Sequence, residues 1–223
     1  MSQLETIREI MNSRELEEGN LDKAEALLNE EVKSNPKNAK AYGYLSEIYY
    51  IKGEILEYPN KTSIFEKGIE YGKKGVEVDP SSLEANFWLG VNYGFLGQEK
   101  GILSSAFLIS PIDNCFKKSM EIDEGFFFGA PLRSYGRLLF MIPGWPISFG
   151  DKKKAVDYLL KSFKYGPDFF LNHLFLAEIY IDIKEKQKAR EQLEWIMKAE
   201  LTKRYAKENQ KWRNQAKKLL SKL

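Results

Sequence analysis

Residues 89–93 read Leu-Gly-Val-Asn-Tyr, with a small residue beside the first of two large ones, and this order recurs along the 223-residue chain. At this spacing the two large residues lie on one face of an α-helix. A second amphipathic segment follows each copy and opens with a small or apolar residue. The sequence therefore predicts pairs of helices that cross closely at small residues. The other copies are Leu45-Ser46-x-x-Tyr49, Tyr135-Gly136-x-x-Leu139 and Leu176-Ala177-x-x-Tyr180, and the second segments open at Gly68, Ile112, Ala155 and Ala189.

This pattern resembles the tetratricopeptide repeat, whose helix-turn-helix unit has a small residue where its two helices cross. In that family about 12 positions separate the small residues of the two helices, which is the spacing from Ala177 to Ala189. Three earlier units carry extra residues between their helices, at 54–63, 97–111 and 143–150. The resemblance implies an all-α, right-handed solenoid of about five units, with a concave surface suited to binding rather than to catalysis.

The five units predict ten helices within residues 1–202, which we interpret as one repeat array. Residues 203–223 carry eight Lys or Arg against one Glu, and their apolar residues fall on one helical stripe. We predict that this tail is a helix that caps the last unit. The alternative is that the basic tail is attracted to nucleic acid or to an anionic membrane. First helices are expected near 5–18, 39–53, 83–100, 129–142 and 169–183, and second helices near 21–34, 63–78, 111–123, 151–165 and 186–200.

The residue types required for catalysis or metal binding do not occur in the usual patterns. The chain has one cysteine and one histidine, so it can form no internal disulfide and lacks the usual zinc spacings. It has no Gly-x-Ser-x-Gly nucleophile elbow. Gly68, Gly72 and Gly75 are interpreted as packing residues of a second helix. We predict a protein that is not an enzyme and that uses no cofactor or metal. Its first residues lack the apolar core of a secretory signal, so a cytoplasmic location is expected.

The first helices should also carry the residues that bind a partner. Side chains opposite the packing face are expected to line the concave groove. Aromatic residues and two arginines at this position suit a protein or peptide with an apolar body and an acidic group. In the alternative interpretation the arginines pair with Glu47 and Glu178, and the aromatic residues only fill the superhelix. The predicted binding residues are Tyr50, Phe87, Phe95, Arg133, Arg137, Phe140, Met141 and Glu178.

The segment Pro143–Asp151 has two prolines and two glycines before Asp151, which predicts a stiff loop. Asp151 is expected to cap the helix that follows. The loop presents Trp145, which could close over a ligand in the groove. We favour the other interpretation, in which Trp145 packs into the insertion of the adjacent unit, because exposed tryptophan is uncommon.

Residues 83–200 carry a second resemblance. The segments Ile122-Asp123-Glu124-Gly125-Phe126, Pro143-Gly144 and Gly150-Asp151-x-x-x-Ala155 are similar to those of the T-component proteins associated with TRAP transporters. That family is tetratricopeptide-like, with a pore and a solute-binding protein as its partner. The resemblance implies an alternative function, a small-molecule-binding or transport-associated subunit in which the insertions narrow the groove into a pore.

Overall fold

The computed structural model of the chain describes residues 2–55, 58–101 and 104–223. These residues contain eleven α-helices and no β-strand. The predicted all-α helical-repeat fold is therefore confirmed, with ten helices arranged as consecutive pairs and an additional helix at the C-terminal end. The helices are α1 (Gln3–Asn12), α2 (Asn20–Ser34), α3 (Ala39–Tyr50), α4 (Lys61–Val78), α5 (Leu83–Lys100), α6 (Ile109–Ile122), α7 (Phe126–Met141), α8 (Lys152–Ser162), α9 (Phe170–Asp182), α10 (Lys186–Lys198) and α11 (Ala206–Leu220).

The helix ends follow local capping chemistry. Ser2 and Glu5 form a reciprocal capping box that starts α1, and Asn38 and Ser82 accept hydrogen bonds from the first turns of α3 and α5. A π-helical turn, Ile51–Ile55, extends α3. The largest difference from prediction is α1, expected near 5–18, which ends at Asn12 and is followed by turns. Of the predicted insertions, residues 56–57 and 102–103 lie outside the described residues.

The chain divides into two compact units, Met1–Ile122 and Asp123–Leu223. In the first unit, α4 approaches its neighbours through glycines. A Cβ added to Gly72 would lie 2.8 Å from the Cβ of Leu89, and one added to Gly75 would lie 2.7 Å from the Cβ of Ala85. Such distances are shorter than normal carbon contacts. The prediction that these glycines are packing residues is therefore confirmed.

The second unit, Asp123–Leu223, contains two helix pairs and α11. The pair α7 and α8 cross at Gly136, where an added Cβ would lie 2.9 Å from the carbonyl oxygen of Ala155. The pair α9 and α10 cross at Ala177 and Ala189, both fully buried. Helix α11 packs against α9 and α10 and buries Trp212 and Ala216. It is the predicted capping helix, whereas the predicted boundary at residue 202 stays a prediction.

Two further properties bear on the kind of site that the chain can form. Within the ranges that the structure describes, no helix combines the length and the apolar character needed to cross a bilayer. The same residues contain no group of three or more His, Cys, Asp or Glu side chains placed to hold a metal ion.

Candidate binding surface

Arg137 lies at the centre of a cluster of polar and aromatic side chains in the second unit. It projects from α7 and forms an ion pair with Glu178 of α9. Its guanidinium carbon lies 4.6 Å from the ring centre of Phe175 and 5.4 Å from that of Phe140. The other carboxylate oxygen of Glu178 accepts a 2.7 Å hydrogen bond from Gln215 of α11. Three helices thus fix one guanidinium, and we call this set of five residues the Arg137 site.

The Arg137 site is accessible. The side chain of Arg137 is 23% exposed and that of Glu178 is 15% exposed, and both Phe140 and the adjacent Met141 are half-buried. Among the described residues, the hydrogen bonds of the Arg137 side chain involve one terminal nitrogen, Nη1. A guanidinium has five N–H donors in a planar fork. The site can therefore donate further hydrogen bonds to a carboxylate while its aromatic neighbours contact an apolar group.

Arg133, one turn before Arg137, has a different environment. It is 4% exposed and donates to the side-chain oxygen of Asn172 at 2.9 Å and to the carbonyl oxygen of Phe128 at 3.2 Å. Its guanidinium carbon also lies 4.6 Å from the ring centre of Phe169. These contacts place Arg133 inside the second unit, one helical turn from Arg137, where its charge adds to the positive potential of the Arg137 site.

Arg133 supports an unusual backbone at the start of α7. Phe127, Phe128 and Gly129 have φ angles of 43°, 62° and 75°, in the left-handed region that is costly for residues with a Cβ. The carbonyl oxygen of Phe128 accepts hydrogen bonds from both Arg133 and Asn172. At the third position only glycine fits, because an added Cβ would lie 2.8 Å from the carbonyl oxygen of Ser162. Two buried side chains thus stabilise this turn.

The predicted aromatic binding residues of the first unit are of two kinds. Phe87 is 2% exposed and packs between Trp88 and Phe116, so it is a core residue of that unit. Tyr50 and Phe95 are half-buried, and their ring centres lie 5.4 Å apart. These two side chains reach the surface of the first unit, whereas Phe87 does not.

The two acidic residues of the alternative interpretation, Glu47 and Glu178, have different ion-pair partners. Glu178 pairs with Arg137, as that interpretation has it. Glu47 is instead buried in the first unit and accepts two hydrogen bonds from Arg8 of α1, at 2.8 and 2.7 Å. The guanidinium of Arg8 also lies 3.9 Å from the ring centre of Tyr44. The charge on Glu47 is therefore neutralised by α1.

The loop between α7 and α8 presents apolar side chains to solvent. Trp145 is 90% exposed and Ile147 is 78% exposed, so the expectation that Trp145 packs into a neighbouring insertion is wrong. The reason is a pair of hydrogen bonds at the base of the loop, in which the amide of Gly150 donates to the carbonyl oxygen of Pro143 and the amide of Asp151 donates to that of Leu139. Because these bonds close the loop at its base, the residues between Pro143 and Gly150 project outward. Asp151 caps α8 as predicted, accepting from the backbone of Lys154 at 3.0 Å.

Comparison with solved structures identifies the fold. A thermophilic TPR protein of Thermus thermophilus superposes with a TM-score of 0.69 over 99% of this chain and 100% of that chain, at 17% sequence identity. The chain has the tetratricopeptide-repeat fold. PilF of Pseudomonas aeruginosa matches with a TM-score of 0.58 over 99% of this chain and 90% of that chain, at 13% identity. MamA matches with a TM-score of 0.53 over 86% of this chain and 91% of that chain, at 18% identity.

These similarities concern the fold, because none of the three proteins exceeds 18% identity with this chain. No protein-family model matches the sequence, and no curated protein matches it. The predicted similarity to the T-component proteins stays a prediction.

Two members of the Arg137 site were missed by reasoning from the tetratricopeptide pattern. Phe175 directly precedes Leu176 of the repeat signature, and it lies three positions before Glu178 on the same helical face. That spacing could have identified it. Gln215 belongs to the capping helix, for which the sequence predicts an apolar stripe but not the register against the last repeat. It could not have been identified from repeat spacing.

The two units of this tetratricopeptide-repeat chain carry opposite charge. The first has 14 Lys or Arg against 20 Asp or Glu, a formal charge of −6. The second has 20 against 12, a formal charge of +8. Charge of one sign over a surface raises the local concentration of ligands of the other sign. The unit that contains the Arg137 site is thus the one that attracts acidic ligands.

Proposed function

We propose that this chain is a non-enzymatic scaffold and that its second unit binds an acidic group of a protein or peptide partner at Arg137. The observation that carries the proposal is the partly exposed guanidinium of Arg137 between Phe140 and Phe175. A planar guanidinium forms paired hydrogen bonds with a carboxylate. The two rings and Met141 add apolar surface for the rest of the ligand.

Glu178 occupies the place that a carboxylate of the partner would take. Binding at Arg137 would then be an exchange or a sharing of carboxylates, in which Glu178 keeps its hydrogen bond from Gln215. Such a site is preorganised, since the guanidinium is already held in place before the partner arrives. The charge of +8 on the second unit offsets the repulsion between Glu178 and an incoming acid.

A small-molecule-binding or transport-associated subunit is the alternative, because a small organic acid offers the same carboxylate. The two alternatives differ in ligand size. A peptide gains affinity from several apolar contacts spread along its length, whereas a small acid gains little beyond the single charge-assisted pair. Tyr50 and Phe95, the half-buried aromatic pair of the first unit, stay proposed contacts for a peptide.

The proposal can be tested with a library of fluorescent peptides screened against the full chain by anisotropy. Peptides that contain an acidic residue next to an apolar residue should be enriched. For an enriched peptide, Arg137→Gln should weaken binding about tenfold, the loss of one charge-assisted contact. Glu178→Gln should strengthen binding, because it removes the internal competitor for Arg137 and keeps an acceptor for Gln215.

The matched control is Arg204→Gln, which removes one exposed arginine from the same unit and should leave affinity within about twofold. Replacing the peptide's acid by its amide should weaken binding to the wild type but not to the Arg137→Gln variant. A library with no acidic preference, or an Arg137→Gln variant that binds like the control, would overturn the proposal. Binding of free succinate as tight as that of the peptide would favour the small-molecule alternative.

A further inference from the structure

The loop Pro143–Asp151 is an exposed apolar projection that the Arg137 site does not use. Its tip carries Trp145 and Ile147, two of the most exposed large apolar side chains in the described structure. Phe149, 43% exposed, lies two positions further on. Single exposed apolar residues are common on soluble proteins, but three within five positions form a patch of the kind that marks an interaction surface.

The projection is built by specific backbone hydrogen bonds. The amides of Ile147 and Ser148 both donate to the carbonyl oxygen of Gly144, at 3.1 and 3.2 Å. At the base, the amide of Gly150 donates to Pro143 at 2.9 Å, and an added Cβ on Gly150 would lie 2.1 Å from the carbonyl oxygen of Ile142. The loop is therefore anchored, and its apolar tip is held outward rather than folded onto the repeats.

The charges around the loop come from α8 and α9. Lys152, Lys153 and Lys154 begin α8 directly after the loop, where the helix dipole disfavours positive charge. The ammonium nitrogen of Lys152 lies 2.5 Å from a carboxylate oxygen of Asp182, and that of Lys154 lies 3.8 Å from one of Asp151. Asp157 follows one turn later on α8, so these three aspartates balance the three lysines next to the loop. Of the net charge of +8 on the second unit, +7 is carried by the C-terminal tail, residues 203–223.

We propose that this loop inserts Trp145 and Ile147 into the interfacial layer of an anionic lipid surface, to which the basic second unit is attracted. Tryptophan suits that layer because its ring is apolar and its N–H remains hydrated. The lysines and arginines of the C-terminal tail supply the positive charge that attracts the unit to such a surface. Apolar insertion and attraction of positive charge are the two contributions that hold peripheral proteins on such surfaces.

A lipid surface fits the projection better than a protein partner does. Trp145 and Ile147 both project into solvent, so a protein partner would need a matching pocket for each, whereas the interfacial layer of a membrane accepts exposed apolar side chains directly. The inference is independent of the peptide site at Arg137, because the loop and that site share no residue. Failure of one proposal therefore leaves the other unaffected.

The test is co-sedimentation of the full chain with vesicles, followed by tryptophan fluorescence. The wild type should sediment with vesicles of equal parts phosphatidylcholine and phosphatidylglycerol and not with phosphatidylcholine alone. Trp88 and Trp212 are buried, Trp195 is half-buried against His173, and Trp145 is 90% exposed, so a blue shift on binding should come mainly from Trp145. The variant W145F should still bind and should lose most of the shift. The variant W145S/I147S should bind at least about tenfold more weakly.

Two matched variants decide between the loop and other causes. The variant L160S/I183S removes two other exposed apolar side chains of the same unit and should bind like the wild type. The variant K217Q/K218Q/K222Q removes three exposed lysines of the C-terminal tail and should weaken binding while the remaining bound fraction keeps its blue shift. The proposal is overturned if the wild type ignores anionic vesicles. It is equally overturned if W145S/I147S binds normally, or if the tail variant alone abolishes binding.

Discussion

The side-chain amide of Asn92 on α5 donates to the backbone carbonyl of Ser46 on α3, with nitrogen and oxygen 2.9 Å apart. The hydroxyl of Ser46 in turn donates to the carbonyl oxygen of Gly68 on α4 at 2.8 Å. Both side chains are completely buried. A Cβ on Gly68 would lie 2.4 Å from the side-chain oxygen of Asn92. The small residues Ser46 and Gly68 therefore allow close packing and also take part in hydrogen bonds that link α3, α4 and α5.

Replacing Asn92 by Ala should destabilise the first unit by about 1–3 kcal/mol, since it removes the buried hydrogen bonds to Ser46 and Trp88 and leaves space at a completely buried position. The measurement is the free energy of unfolding in urea, monitored by circular dichroism. Asn114→Ala changes an exposed asparagine of the same unit and should stay within about 0.5 kcal/mol of the wild type. Equal effects of the two substitutions would contradict the structural role of Asn92.

Two glycines of α5 should respond in opposite directions to substitution. A Cβ on Gly90 would lie 2.8 Å from the ring of Phe116 and 2.9 Å from the Cβ of Cys115, so Gly90→Leu should overpack the crossing with α6 and cost about 1–3 kcal/mol. Gly94 has no atom within 4 Å of its added Cβ. Gly94→Ala should therefore raise stability by up to about 1 kcal/mol through helix propensity. Thermal melts of the two variants and the wild type are the measurement. An unchanged melting temperature for Gly90→Leu would contradict close packing of α5 against α6 at this position.

The sequence predicted the helices and their crossings because the small residues of the repeat signature lie where two helices approach closely. Gly72, Gly90 and Gly136 each lie where an added Cβ would be less than 3.0 Å from another helix. This property depends on backbone geometry, which is shared by all repeats. The same reasoning placed Ala177 and Ala189 correctly, since their spacing was the regular one.

The partners of charged and aromatic residues could not be predicted in the same way. Glu47 is paired with Arg8 from a first helix that lacks the repeat signature. Arg133 is buried and donates a hydrogen bond to the left-handed turn at Phe127–Gly129, for which the repeat pattern contains no signal. Trp145 is exposed because of backbone hydrogen bonds at the base of its loop. These outcomes depend on the relative register of distant elements, and one sequence does not define that register.

The stability of the second unit should fall between neutral pH and mildly acidic pH because of His173. Burial lowers the pKa of His173 below its ordinary value of 6.5, against the opposing effect of hydrogen bonds to Pro167 and Gln192. The ring also stacks on Trp195, with centres 3.6 Å apart. The unfolded chain thus binds a proton at a higher pH than the folded one. The contribution of His173 is complete above its unfolded pKa and is lost as pH falls through and below that value.

Urea midpoints at pH values from about 7.5 down to about 5.5 should therefore decrease. His173→Gln keeps a polar side chain at this position but has no group that titrates in this range. Its midpoint should change less with pH than that of the wild type. If the two profiles run parallel over this range, protonation of His173 does not limit stability.

The single thiol offers a direct measure of opening in the first unit. Cys115 is buried on α6, and burial raises its pKa to about 12. Because the thiolate is the reactive form, a disulfide reagent at pH about 8 should label the native chain slowly and the urea-unfolded chain rapidly. Labelling of the native chain should then require opening of the first unit, so that each 1.4 kcal/mol by which a substitution destabilises that unit increases the labelling rate about tenfold. Asn92→Ala should accelerate labelling accordingly, and Asn114→Ala should not. Native labelling as fast as in urea, or equal rates for the two variants, would show that Cys115 is reached without opening of the first unit.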